Sequence, residues 1–403
     1  MIVIVGTLDT KGDKIAYLKK SIEKKGEKSL VIDCGVVGNP FFEPDISNEK
    51  VAESAGKSLE EIRAIGSEAK AMRLMAKGVS EIVTDLYTSG VLECLLGIGG
   101  TMGTSLFLHV AGGLPYGIPK IIVCTTAFSS YLRSELIAPD LVVVPDISVW
   151  GIDSLSKRSL DITGSIAREA VRIFRQSGPI EKGFFGIDTL GTSALKYVIW
   201  LKPLLEKMGK RVICIHSAGG QGSAFEGLIK NELIEGVFYL CLLDLIPESL
   251  TKQGFMSTPK KFEAAVEQGI PIIIAPGDIC EVVWPKAPED LPAKFQRRKS
   301  KQHNDLCLTI ERSMKEVIQT AELVATKLNK GTGPRGVAVP IKGSATWDLP
   351  GQRYFNPKRI RVFLEALKGA VNSSVKVIEL DCHINDKLFA EETFNLYRSL
   401  SSR

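Results

Sequence analysis

Two glycine- and hydroxyl-rich runs carry the residue types that hold phosphate. The first is Gly6-Thr7-Leu8-Asp9-Thr10-Lys11-Gly12, directly after an apolar run. Its backbone amides, hydroxyls and single ammonium suit a phosphate, and the Asp9 carboxylate suits Mg²⁺ or a ribose hydroxyl. The same run also reads as a capped turn, with Asp9 or Thr10 capping a helix and Lys11 in solvent. The second run is Gly97-Ile98-Gly99-Gly100-Thr101-Met102-Gly103-Thr104. It follows a strand-like segment and opens a helical one, the setting of a dinucleotide fingerprint, with a spacing one residue off the standard form. Its glycines permit close backbone approach, and a helix N-terminus favours an anion. Tight packing of a helix on a strand would use the same glycines. Gly56-Lys57-Ser58 looks like the end of a P-loop, but Val51 stands where that motif needs glycine, so it is set aside.

A second set of candidates is acid–base in character. His216-Ser217-Ala218-Gly219-Gly220-Gln221-Gly222-Ser223 follows a strand-like run, with Glu226 one turn further on. His303-Asn304-Asp305 stands before a run read as helix, and Asp381-Cys382-His383-Ile384-Asn385-Asp386 follows the last strand. Imidazole with carboxylate can move protons or bind metal. Asn304 or Asp305 before a helix is also an ordinary N-cap. His109 lies in a helical run and reads as packed. Lys294, Arg297, Arg298, Lys299 and Lys301 make a basic run with only Phe295 interleaved. It reads as a solvated loop, or secondarily as a lid over an anion, and nucleic-acid binding is not expected.

The elements that must position these residues alternate. Strand-like runs are Met1–Gly6, Lys28–Cys34, Val91–Ile98, Lys120–Thr125 and Leu141–Pro145, with helical periodicity between them. After Gly178-Pro179 the pattern restarts with strands at Gly183–Ile187, Arg211–His216, Gly236–Leu240, Pro271–Ala275, Gly336–Pro340 and Val375–Leu380. Helices are expected at about 193–208, 223–231, 259–268, 307–330, 357–369 and 386–400. Continuous apolar strands alternating with helices imply parallel sheets covered on both faces. The fold class is therefore α/β, with two doubly wound, Rossmann-like domains of mainly parallel sheet, residues 1–178 and 179–403. Ligands of such sheets sit beyond the carboxyl ends of the strands, where both candidate sets fall.

Composition narrows the classes. At 403 residues, 44% hydrophobic and 24% charged, the chain is globular and too long for one ordinary core. No run approaches the roughly 20 apolar residues of a membrane helix, and Met1–Gly6 reads as a first strand rather than a leader. A net charge of +5 on so large a chain does not call for nucleic acid. Eight cysteines with no C-x-x-C pair fit buried thiols in a reducing compartment, so a cytoplasmic protein is expected.

The order and spacing of Gly6–Lys11, Gly99–Thr104, Leu114-Pro115-Tyr116-Gly117-Ile118-Pro119-Lys120, His216–Gly222, Gln302-His303-Asn304 and His383-Ile384-Asn385-Asp386 resemble a largely uncharacterised two-domain family. That family includes the N-terminal, ATP-binding inhibitory region of the tomato mosaic virus resistance protein of tomato. The resemblance runs over essentially the whole chain. It implies an ATP site in the N-terminal domain, two Rossmann-like halves and a homodimer. Departures from the family pattern concentrate in the second half, at Asp188-Thr189-Leu190 and Tyr239–Asp244, with one at Ala127-Phe128.

The leading expectation is an ATP-binding protein. Thr7, Asp9, Thr10 and Lys11 would hold phosphate or Mg²⁺, and Gly99, Gly100, Thr101, Gly103 and Thr104 would cradle phosphate. A small molecule or protein partner would bind near the interdomain cleft. One alternative is an ATP-dependent enzyme activating a substrate beside His216, Glu226 and His303. Another is a metal-dependent lyase or hydrolase using His216, His303 or His383.

Overall fold

The computed structural model describes every residue except Ser130, Tyr131, Ser193, Ala218, Gly219, Ser402 and Arg403. The chain divides into two compact units, Met1–Ile180 and Glu181–Arg403.

The first unit runs β1 (Ile2–Gly6), α1 (Leu8–Lys24), β2 (Ser29–Asp33), α2 (Asn48–Ser54), α3 (Leu59–Arg63), α4 (Glu68–Thr88), β3 (Cys94–Gly99), α5 (Thr101–Gly113), β4 (Lys120–Cys124), β5 (Leu141–Pro145) and α6 (Ser154–Gln176). Its five strands are all parallel, in the order β2-β1-β3-β4-β5. Alternation along β1 explains the layering. Ile2 and Ile4 pack with Leu18 and Ile22 of α1 and Ala167 of α6, while Val3 and Val5 pack with Val79 of α4 and Leu106 of α5. Both faces are thus buried, as continuous apolar strands require.

The second unit runs β6 (Phe184–Thr189), α7 (Val198–Lys207), β7 (Arg211–His216), α8 (Gln221–Lys230), β8 (Ile234–Tyr239), α9 (Glu248–Thr251), α10 (Glu263–Gln268), β9 (Ile272–Ile274), β10 (Glu281–Trp284), β11 (Ser300–Asn304), β12 (Cys307–Glu311), α11 (Met314–Leu328), β13 (Arg335–Pro340), α12 (Arg359–Ala370), β14 (Lys376–Leu380) and α13 (Lys387–Ser401). Its main sheet is parallel, in the order β14-β13-β9-β8-β6-β7. Read from β6, this is the strand order of the first unit with one more strand added.

The residues after His303 depart from expectation. Instead of a helix from Cys307, the chain forms the antiparallel sheet β10-β12-β11. The reason is a two-residue period: Leu308 and Ile310 share one face and pack on Val282, Trp284 and Phe255. The helix begins only at the Ser313–Glu316 capping box. Asn304 serves as a turn residue, its Oδ1 accepting from Leu306 N (2.8 Å) and Cys307 N (3.2 Å). His109 is exposed on α5 rather than packed. Cys34, Cys94, Cys124 and Cys241 are buried free thiols, whereas Cys214 is exposed. Among the described residues no helix is long and apolar enough to cross a membrane.

Candidate functional site

In the first unit the chain leaves β1 toward β2 on one side, then crosses back to β3 on the other. That reversal opens a crevice beyond the carboxyl ends of β1 and β3. A cavity of about 760 Å³ lies there, a size suited to a small ligand. Thr7, Asp9, Thr10 and Lys11 line it from the start of α1, and Gly100, Thr101 and Gly103 from the start of α5. The expected loops therefore converge on one space. Two expected residues do not line it. Gly99 is buried in the strand–helix junction, and Thr104 is buried beneath with its hydroxyl 3.4 Å from that of Thr126.

The glycines separate into two groups by what a side chain would meet. A Cβ on Gly97 would stand 2.2 Å from Phe107, and one on Gly99 2.7 Å from the backbone at Gly103–Thr104. Those two are glycine because α5 packs directly on β3. A Cβ on Gly100 would meet nothing nearer than Thr125 Oγ1 at 3.8 Å, and one on Gly103 nothing nearer than Ile98 O at 3.6 Å. Neither has a positive φ. The protein's own packing would accept alanine at both, and both line the cavity. Gly100 is also the N-cap of α5, where no side chain caps the helix and no acidic residue occupies the first turn. Uncapped first-turn amides and the helix dipole favour an anion at this place.

The first turn of α1 is occupied differently. Leu8 N donates to Asp33 Oδ1 (3.0 Å), which also accepts from Gly35 N (2.8 Å). Burial pushes the Asp33 carboxyl above its ordinary range, against the pull of those two amides. The dipole end of α1 is thus already served from within. Asp9 Oδ2 accepts from Gly38 N (3.1 Å), while Asp9 Oδ1 is buried without a hydrogen-bond partner among the described residues. That orphaned oxygen suits a divalent cation or a ribose hydroxyl. Thr7 and Thr10 share a hydroxyl–hydroxyl bond of 2.6 Å. The rest of the lining, missed in the sequence, sets the apolar Val36, Ile62, Ala71 and Met72 beside Arg63, Ser67 and Glu68.

In the second unit the expected residues are not assembled. Glu226 is buried and fully used: Oε1 accepts from Tyr239 OH (2.5 Å) and Phe262 N (2.9 Å), and Oε2 from Ala264 N (3.0 Å). It caps the start of α10. His303 stands exposed on β11, and His216 is exposed at the end of edge strand β7. His383 uses both ring nitrogens. Nδ1 accepts from Asn385 N (3.1 Å), which leaves Nε2 to donate to Ala345 O (3.1 Å). Among the described residues no three His, Cys, Asp or Glu side chains form a metal-binding group. Ala218 and Gly219 lie outside the described residues.

A different buried group occupies the reversal point of the second sheet. Lys261 Nζ lies 2.6 Å from Asp188 Oδ2 at the end of β6, 2.5 Å from Asp244 Oδ1 after β8, and 2.7 Å from Ser217 Oγ after β7. Burial opposes the charge on Lys261, but the two carboxylates outweigh it and hold its pKa above the ordinary value. A charged lysine cannot act as the base of a Ser–Lys pair. Burial also pushes the Asp188 carboxyl up to about 7, with Lys261 pulling down and Asp244 pushing up. Only Ser217 of this group stood out in the sequence. Asp188 and Asp244 appeared there as departures, and Lys261 gave no signal.

Comparison with known proteins matches residues 1–172 to the N-terminal domain, and residues 182–401 to the C-terminal domain, of the uncharacterised protein family UPF0261. A UPF0261 protein of Brucella melitensis is 34% identical over 398 residues, covering 98% of this chain and 94% of that one. A UPF0261 protein of Clostridium tetani is 30% identical, covering 96% of each. The ToMV resistance protein Tm-1 of Solanum lycopersicum is 26% identical over 428 residues, covering 99% of this chain but 55% of its own length. The chain belongs to the UPF0261 family.

Proposed function

We propose that this member of the UPF0261 family binds ATP, together with Mg²⁺, in the cavity of its first unit. The observation that carries the reading is the pair Gly100 and Gly103. Both open on a 760 Å³ cavity at an uncapped helix start, and the packing of the protein does not itself require either to be glycine. In this reading the phosphates sit against the first turn of α5, with Thr7, Thr10 and Lys11 opposite. Asp9 Oδ1 would hold the cation or a ribose hydroxyl. The base lies against Val36, Ile62, Ala71 and Met72, where an apolar wall favours a flat ring.

The protein acts here as a nucleotide-dependent binding protein whose second component is a small molecule or a protein. An enzyme reading would need the second-unit trio, and Glu226 is instead spent on a helix cap. Calorimetric titration of the whole chain with ATP, tripolyphosphate and adenosine, each with Mg²⁺, tests the assignment. ATP should bind more tightly than either part, because it fills both walls. Equal affinity for adenosine and ATP would remove the phosphate seat.

A further inference from the structure

The segment after β5 is pinned to α1 at two points of unequal permanence. At its base, Lys14 Nζ pairs with the buried carboxylate of Asp146 (2.5 Å) and bonds Ser148 O (2.6 Å). Lys14 is 1% exposed, so this is a closed ion pair. At the tip, Lys11 Nζ bonds the carbonyl of Val149 (2.5 Å). Lys11 is 8% exposed, and among the described residues no carboxylate forms an ion pair with it. Burial, then the neighbouring Lys14 charge, lower its pKa. Lys14 thus holds a carboxylate directly, whereas Lys11 holds only a carbonyl, the Asp146 and Asp13 charges acting on it at longer range.

Beyond that bond the tip is held by Ser148, whose N donates to Asp146 Oδ1 (3.1 Å) and whose Oγ donates to Trp150 O (3.3 Å). Ile147, Val149 and Trp150 are 75%, 65% and 83% exposed, so no burial fixes their side chains. Gly151 follows with φ of +70°, and Asp153 then anchors the chain by capping α6. Lys11 meanwhile lines the cavity on its other side. One residue thus borders the cavity and holds the tip through its ammonium.

Resting on the proposed phosphate reading of that cavity, we propose that Lys11 is a shared latch, drawn from the Val149 carbonyl toward a bound phosphate, so that nucleotide occupancy sets the position of the lip Ile147–Gly151. An anion supplies the counter-charge that the carbonyl lacks, so of the two bonds the ammonium makes, the one with both partners ionised is the stronger. The base stays fixed because Lys14 keeps Asp146. The coupling is reciprocal: a ligand that recruits Lys11 moves the lip, and a change in the lip alters affinity for that ligand.

Trp150 reports on the lip. Emission of the whole chain would be recorded with and without saturating Mg²⁺–ATP, with Trp150→Phe supplying the background from the other tryptophans. Binding would be followed in parallel by heat. The expected result is a Trp150-dependent shift on saturation that is absent in Lys11→Met at its own saturating nucleotide. Lys11→Met without ligand should already show the shifted emission, because the latch is gone. Heat with no Trp150-dependent change, or the same change in Lys11→Met, overturns the latch and leaves the cavity reading standing. If ATP gives no heat, the cavity reading falls and the latch with it. Lys11→Arg, which keeps the charge, should retain the shift and guards against a variant that misfolds.

Discussion

Gly103 offers a clean separation of structural from ligand roles. It lies in the first turn of α5 with space for a Cβ, so Gly103→Ala should leave thermal stability unchanged or raise it, by up to about 1 kcal/mol. The same change should weaken nucleotide binding, because the methyl enters the cavity. A destabilised variant, or one with unaltered affinity, would contradict the assignment. Glu226 is the converse. Glu226→Gln replaces an acceptor with a donor facing an amide, and should cost about 1–3 kcal/mol in denaturant unfolding while nucleotide affinity stays unchanged. A loss of affinity at full stability would restore Glu226 to the site. Asp188 supplies a pH signature. Its carboxyl titrates at about 7 when folded, against an ordinary 3.8, so the folded state holds a proton that the unfolded state releases between those values. Its contribution to stability therefore falls as pH rises through that window. Asp188→Asn should flatten the decline of unfolding free energy across the window, and an unchanged slope would show that the proton sits elsewhere.

At the scale of elements, the sequence was most legible where periodicity and position agree. The apolar run Ile2–Val5 is too continuous for a half-exposed strand and ends where a candidate loop begins, whereas the equally apolar Leu141–Val144 forms an edge strand with Val142 exposed. Legibility failed at β12, because Ile310 also stands in helical register with Val317 and Ala321, seven and eleven residues on. Only the Ser313 capping box separates the two. The hairpin yields its own test. Asn304→Ala removes the acceptor for two turn amides and should cost about 1 kcal/mol, whereas His303→Ala on an exposed strand should stay within about 0.5 kcal/mol. Differential scanning calorimetry of both variants checks this, and the reverse order would mean that His303 is held by something else. The cavity was legible only in its polar half. The phosphate-type residues lie next to each other in sequence, but Val36, Ile62, Arg63 and Met72 come from separate segments that only the turn after β2 and the placement of α3 and α4 bring together.

At the scale of the molecule, the two units repeat one strand order, and each places buried or orphaned polar groups at its reversal point. In the first unit Asp9, which carries the orphaned oxygen, lines a cavity; in the second, Lys261 and its carboxylates close on one another. This contrast favours the first unit as the seat of the proposed nucleotide. The test is a calorimetric titration of the whole chain with Mg²⁺–ATP, wild type beside Gly100→Val. The backbone at Gly100 is extended and the nearest obstacle to a Cβ is Thr125 Oγ1 at 3.8 Å, so a side chain can start there, and thermal unfolding of the variant beside wild type checks that the fold is kept. The account predicts measurable heat from wild type and at least about tenfold weaker binding by the variant, some 1.4 kcal/mol. No heat from wild type at millimolar ATP, or equal affinity in the two proteins, would contradict it.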